Sequence, residues 1–122
     1  MLRAVVEGIC FGLKDCLEII QSVCGDITHA KVIGGGAKSE VWLQLLADIL
    51  NIKINTIDSS EGGAFGAAIL AMVGDGEYQS VEEACNKLIH ITNTYEPNPT
   101  NVKWYEQKYA RYQRIYEQVK KI

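Results

Sequence analysis

Ala30-Lys31-Val32-Ile33-Gly34-Gly35-Gly36-Ala37-Lys38-Ser39, running on into Glu40-Val41-Trp42-Leu43-Gln44-Leu45-Leu46-Ala47-Asp48-Ile49-Leu50, decides the fold of this 122-residue chain. A short β-branched apolar run ends in three glycines. A helical period follows at once, with Val41, Leu45, Asp48 and Ile49 three or four apart. The order is strand, glycine-rich turn, helix. Glycines permit positive φ and close approach of a ligand to the backbone. The helix start beyond them presents free N–H groups and the positive end of the dipole, which suits a phosphate. The same glycines also serve a bare strand-to-helix turn, and a lone glycine-rich turn does not choose between the two.

Working outward, the helix is expected from about Lys38 to Asn51, with Ser39 as N-cap or first-turn hydroxyl. Ile52-Lys53-Ile54-Asn55-Thr56-Ile57 reads as a second strand. With the first strand at Thr28–Ile33 it makes a βαβ unit, parallel and right-handed. Upstream, Leu2 to Cys24 reads as one long helix with Val5, Ile9, Leu13, Leu17 and Ile20 on its apolar stripe, widened by Val6, Phe11 and Cys16. Gly25-Asp26 stops it. Downstream, Asp58-Ser59-Ser60-Glu61-Gly62-Gly63 is a loop. A helix rich in small residues runs from Ala64 to the Gly74-Asp75-Gly76 stop. Ser80-Val81-Glu82-Glu83 is a capping box opening a helix to about Ile89. His90 to Asn101 reads as a loop. A last helix from Val102 carries Tyr105, Tyr109, Tyr112, Tyr116 and Val119 on one stripe.

Composition narrows the function. At 48% hydrophobic residues the chain can build a core, and residues 1–122 are expected to form a single domain. A net charge of −3 offers no basic field for nucleic acid, and the diluted basic residues around the tyrosine stripe do not change that. No apolar run approaches the ~20 residues of a membrane span. Cys10, Cys16, Cys24 and Cys85 form no C-x-x-C pair and have no histidine at zinc spacing, so they read as structural thiols in a reducing compartment. Nothing at the N-terminus reads as a signal peptide.

Four stretches, taken together, carry a resemblance. They are Arg3-Ala-Val-Val-Glu-Gly-Ile-Cys-Phe-Gly-Leu; Ile33-Gly-Gly-Gly-Ala-Lys-Ser-Glu-Val-Trp-Leu-Gln with Ala47-Asp48-Ile49-Leu50; Glu61-Gly-Gly-Ala-Phe-Gly-Ala-Ala-Ile-Leu-Ala; and the terminal Trp104-Tyr105. In this order they resemble the C-terminal part of the FGGY family of carbohydrate kinases, and within it the xylulose kinases. The resemblance implies an α/β fold: part of an actin-like (ribonuclease H-like) ATPase domain, with two parallel strands in a βαβ unit and flanking helices. It implies the nucleotide side of an enzyme that moves the γ-phosphoryl of ATP to D-xylulose, with Mg²⁺ arriving on the nucleotide. The sugar and the catalytic aspartate would belong mainly to an N-terminal domain, so this part alone would be inactive, and cytoplasmic like the family.

Carried over residue by residue, Gly35, Gly36 and Ala37 resemble the loop against the α-phosphate and ribose, with Gly34 fixing the turn. Ser39 and Glu40 fall beside the adenine. Some sugar kinases have an asparagine at the position of Glu40. Lys38 reads as a solvated lysine at the helix start. Gly62 and Gly63 resemble the turn opening the next helix, and Glu7 and Gly8 lie on the helix beneath the loop. No catalytic and no metal-binding residue is expected in this chain: Asp48, Asp58, Glu61 and Asp75 lack a partner at metal spacing, and His29 and His90 lack a Ser or Cys constellation.

Two rival readings remain. Gly34-x-Gly36-x-x-Ser39 followed by Asp58 about 20 positions on resembles a Rossmann fingerprint, with Ser39 in place of the third glycine. A non-catalytic module that self-associates, as a homodimer covering an exposed sheet edge and apolar patches, is the other.

Overall fold

The computed structural model describes residues 1–59 and 62–122; Ser60 and Glu61, which the sequence places in the loop before Gly62, lie outside the described residues. Gly34 leaves the first strand at φ 94°, ψ −171° and feeds a short 3₁₀ turn, Gly35–Lys38. Ser39 then caps the helix, its Oγ accepting from Trp42 N–H at 3.4 Å. The helix is therefore shorter at its start than its period suggested. It is α2, Glu40–Leu50, and Asn51 closes it in the left-handed region at φ 53°. Before it come α1 (Leu2–Cys24) and β1 (His29–Val32). After it come β2 (Lys53–Ile57), α3 (Gly62–Gly74), α4 (Val81–Leu88), β3 (Ile91–Tyr95) and α5 (Pro99–Val119). The Ser80 half of the expected capping box forms, with Ser80 Oγ accepting from Glu83 N–H at 3.1 Å, but Glu83 Oε2 reaches past the cap to accept from Gln79 N–H at 3.0 Å.

The βαβ unit is present, with β1 parallel to β2 and His29 opposite Lys53 through Val32 opposite Thr56. The expectation of two strands, and of a loop from His90 to Asn101, is corrected. β3 pairs antiparallel with β2, Ile54 opposite Tyr95 and Ile57 opposite Ile91, giving a mixed sheet in the order β1-β2-β3. Ile-Thr-Asn-Thr-Tyr has β-branched residues but no apolar alternation, because most of this edge strand faces solvent. Its partners are polar: Thr56 Oγ1 and Thr92 Oγ1 lie 2.8 Å apart, and Thr94 Oγ1 donates to Asn55 Oδ1 at 2.9 Å. The last helix likewise starts at Pro99 rather than Val102, with Asn98 Oδ1 accepting from Thr100 N–H at 3.0 Å.

The core lies between the sheet and a layer of α1, α2 and α5. Cys10, Ala47, Ile54, Ile49, Leu43 and Tyr105 are its most buried members. Phe11 of α1 meets the rings of Tyr105, Tyr109 and Tyr112 at centroid distances of 6.3, 5.9 and 5.3 Å. The tyrosine stripe thus buries its first half, while Tyr116 and Val119 stay exposed. The stripe expected on α1 is corrected too. Cys10 and Phe11 face inward with Val6 and Leu17 against them, and Val5, Ile9, Leu13 and Ile20 face solvent. α1 is apolar on more than one side, and a three-to-four period does not say which side finds a partner. The buried side includes Glu7, which accepts from Arg3 Nε at 3.1 Å, Tyr105 O–H at 3.0 Å and Lys108 Nζ at 3.4 Å. Burial acts to raise the Glu7 carboxyl, but these bonds and the Lys108 charge outweigh it and hold it below the usual range.

Candidate functional site

β1 and β2 run parallel, so the turns that follow them emerge at the same end of the sheet. There the structure gathers Gly34, the 3₁₀ turn and the start of α2. Ala37 N–H closes on Gly34 O at 3.1 Å and Ser39 N–H on Gly36 O at 3.2 Å. That leaves the amides of Gly35 and Gly36 at the open head of the turn. The ψ and φ of Gly34 fall in a region open almost only to glycine. Gly62, first residue of α3, packs against the same corner: a Cβ there would lie 2.2 Å from Ile33 Cδ1. The two glycine-rich turns therefore meet at Ile33.

Trp42 is a part of the site that the sequence did not single out. Its ring lies 3.7–3.8 Å from where a Gly36 Cβ would be, so it floors the turn. Its partner beneath is the buried Cys10. Burial pushes the Cys10 thiol up to about 11, against a lowering hydrogen bond from Trp42, so this cysteine is a neutral filler. All four cysteines are free thiols.

On the α5 side of Trp42 opens a cleft of about 730 Å³, walled by Leu2, Val6, Val41, Trp42 and Leu45 and reached by Ser39, Glu40 and Tyr105. Ser39 and Glu40 thus share a cleft, while Gly34–Lys38 form the turn beside it. Most polar groups of the cleft are already engaged. Arg3 is bound to Glu7 and, through Nη2, to Tyr105 Oη at 3.0 Å. Asp48 accepts from Gln44 Nε2 at 3.0 Å, Asn98 N–H at 2.8 Å and Asn101 Nδ2 at 3.0 Å. Lys38 ends the 3₁₀ turn and is exposed.

Asp58, the acidic residue a dinucleotide site would aim at a ribose, instead faces away along the sheet to β3. Its Oδ2 meets His90 Nδ1 at 3.1 Å, and Asp58 N–H donates to His90 O at 3.1 Å. The His90 side-chain hydrogen bond holds the Asp58 carboxyl below its usual 3.8. A depressed carboxyl stabilises the fold above its unfolded value, and that contribution disappears as pH falls through the folded one. The clasp is therefore expected to open in acid. In His90→Ala, the Asp58 carboxyl followed by carbon NMR is expected to titrate at higher pH than in the parent; an unmoved midpoint would show that the imidazole does not hold it.

Among the described residues, no group of three or more His, Cys, Asp or Glu could hold a metal ion, and no helix is long and apolar enough to cross a membrane.

Residues 1–74 match the FGGY family of carbohydrate kinases, C-terminal domain. The chain is 42% identical over 120 residues to a xylulose kinase of Staphylococcus epidermidis, covering 98% of this chain and 24% of that protein. It is 36% identical over 121 residues to a xylulose kinase of Bacillus subtilis, again 24% of that protein. Among solved structures it superimposes on a ligand-bound xylulose kinase from Lactobacillus acidophilus with a TM-score of 0.88 at 29% identity, covering 96% of this chain and 24% of that one. It superimposes on Plasmodium falciparum glycerol kinase with ADP with a TM-score of 0.79 at 25% identity, covering 97% of this chain and 24% of that one. The α/β fold is thus that of actin-like sugar kinases, and the chain spans about a quarter of the length of these relatives. With the family match over residues 1–74 and relatives aligned along nearly all of it, the chain belongs to the FGGY family of carbohydrate kinases, as part of its C-terminal domain.

Proposed function

We propose that this chain is the nucleotide-side portion of a sugar kinase that transfers the γ-phosphoryl of ATP to D-xylulose, and that it does not turn over by itself. The observation that carries the reading is Gly34, in a glycine-only conformation at the end of a parallel strand, feeding a 3₁₀ turn and a capped helix beside an open cleft. The amides of Gly35 and Gly36, with Ala37, fit the α-phosphate and ribose, and Ser39 and Glu40 fit the base side. Mg²⁺ comes with the nucleotide phosphates. Phosphoryl transfer also needs a base for the sugar hydroxyl and a site for the sugar. Those come from the rest of a longer polypeptide, residues 1–122 being one portion of its second domain. The names of the relatives support the substrate class: xylulose kinases, and a glycerol kinase solved with ADP.

The free cysteines suit a reducing cytoplasm. The exposed surface is 8489 Å², against roughly 6,500 Å² for a compact monomer of this mass. The excess includes the outward apolar face of α1, and the isolated chain covers it by self-association.

An amide NMR titration of the chain with ADP and, separately, NAD tests the nucleotide reading. ADP is expected to shift Gly34–Glu40 and the Gly62–Gly63 turn. A stronger response to NAD centred on Gly34–Ser39 and Asp58 would overturn the kinase reading in favour of a dinucleotide module. Sedimentation of the same sample as a monomer would refute self-association.

A further inference from the structure

We infer that the Cys10 thiol, by holding the indole of Trp42, positions the glycine turn for its ligand, so that α1 is a working part of the site. The inference deepens the nucleotide reading above and rests on it. Trp42 floors the turn: its ring atoms Cε3, Cδ2 and Cζ3 lie 3.7–3.8 Å from where a Gly36 Cβ would be. Packing alone does not pin that ring. It walls the cleft of about 730 Å³ together with Val6 and Leu45. It also walls a second, apolar groove of about 560 Å³ together with Leu17, Val32 and Gly36. The indole is thus a partition with open space on both sides.

The hydrogen bond to Cys10 supplies the constraint that packing lacks. An indole N–H only donates, so the sulfur accepts. Cys10 is fully buried, so water does not take the place of the sulfur. The thiol is itself fixed in place. Glu7, three residues earlier on α1, accepts from Tyr105 O–H and Lys108 Nζ of α5. A weak sulfur bond suffices, since it has only to choose the orientation of the ring. A ring that turns away withdraws the contact under Gly36. The 3₁₀ turn Gly35–Lys38 then loses its floor, and the amides of Gly35 and Gly36 at its open head are re-aimed. A cysteine that merely fills the core predicts something else: exchanging its sulfur would lower stability and leave the turn alone.

The test uses the ¹⁵N-labelled chain with Cys10→Ala, Cys10→Ser, Trp42→Phe and the double variant of Cys10→Ala with Trp42→Phe. Each is read for the amide positions of Gly35, Gly36 and Ala37 without ligand, for ADP affinity and for the urea midpoint. Cys10→Ala is expected to move the three amides and to weaken ADP on the order of fivefold, the size of one modest hydrogen bond. Cys10→Ser keeps an acceptor and is expected to bind ADP as the parent does, even where its buried hydroxyl lowers the urea midpoint. Trp42→Phe removes the donor and leaves position 10 untouched, so the inference is tested from either partner. In that background Cys10→Ala is expected to cost no further affinity. Parental ADP affinity in Cys10→Ala overturns the inference and leaves the nucleotide reading standing. So does an equal loss in Cys10→Ser, or losses that add in the double variant. A parent that binds no ADP at millimolar concentration overturns both.

Discussion

Asp48→Ala is expected to cost the fold about 3 kcal/mol, seen as a fall in the urea midpoint with an unchanged slope. Asp48 is 3% exposed, and its carboxylate accepts three hydrogen bonds from two directions. Gln44 Nε2 comes from one turn earlier on α2 and also reaches Glu96 O at 2.8 Å. Asn98 N–H at 2.8 Å and Asn101 Nδ2 at 3.0 Å come from the start of α5. Asp48 thus ties α2 to the N-terminus of α5, where the helix dipole favours a negative charge. Truncation leaves three donors facing a void. Each buried unsatisfied group costs about 1–3 kcal/mol, and water entering from the adjoining cleft recovers part of that. Asp48→Asn keeps the volume but turns N–H toward N–H at one of the contacts, so an intermediate loss is expected. A change under about 0.5 kcal/mol for Asp48→Ala, the size of an ordinary surface substitution, would show that the α2–α5 junction does not depend on this side chain.

The contrast between Asp48 and Gly34 shows what the sequence could and could not tell. A glycine demand is local: the turn must take a positive φ between a strand and a helix, and both are written in short-range periods. The βαβ unit, the Ser39 and Ser80 caps and the turn after β1 were therefore legible. The role of Asp48 depends on Asn98 and Asn101, some fifty residues away, and the partners of Glu7 include Tyr105 and Lys108 at the other end of the chain. No local period carries such a pairing. β3 was missed for a related reason. An edge strand with solvent on its side chains needs no apolar alternation, and its identity comes from pairing with β2. The cleft at Glu40 exists only because α1, α2 and α5 meet there, so its chemistry could be named from resemblance but its walls could not.

Gly34→Ala is expected to weaken ADP binding on the order of tenfold or more while leaving the core intact. The added methyl meets nothing within 4 Å, so crowding is not the cause. The cause is the backbone, at φ 94°, ψ −171°, where an L side chain is strained by about 1–3 kcal/mol. The turn relieves that strain by rotating the peptide after residue 34. Rotation breaks the Ala37 N–H bond to Gly34 O and re-aims the Gly35 amide, which is the group proposed to face the phosphate. Gly35→Ala is the control, since it has neither a positive φ nor a neighbour within 4 Å, and the fold should tolerate it. Gly36→Val acts differently: its branches press on the Trp42 ring, whose atoms already lie 3.7 Å from the Cβ position, and narrow the ligand side. In a complete kinase carrying this portion, Gly36→Val should raise the ATP Michaelis constant sharply and leave sugar binding nearly unchanged. If Gly34→Ala lowers thermal stability but ADP shifts the same amides with the same affinity, the three glycines make only a tight turn, and the phosphate assignment fails.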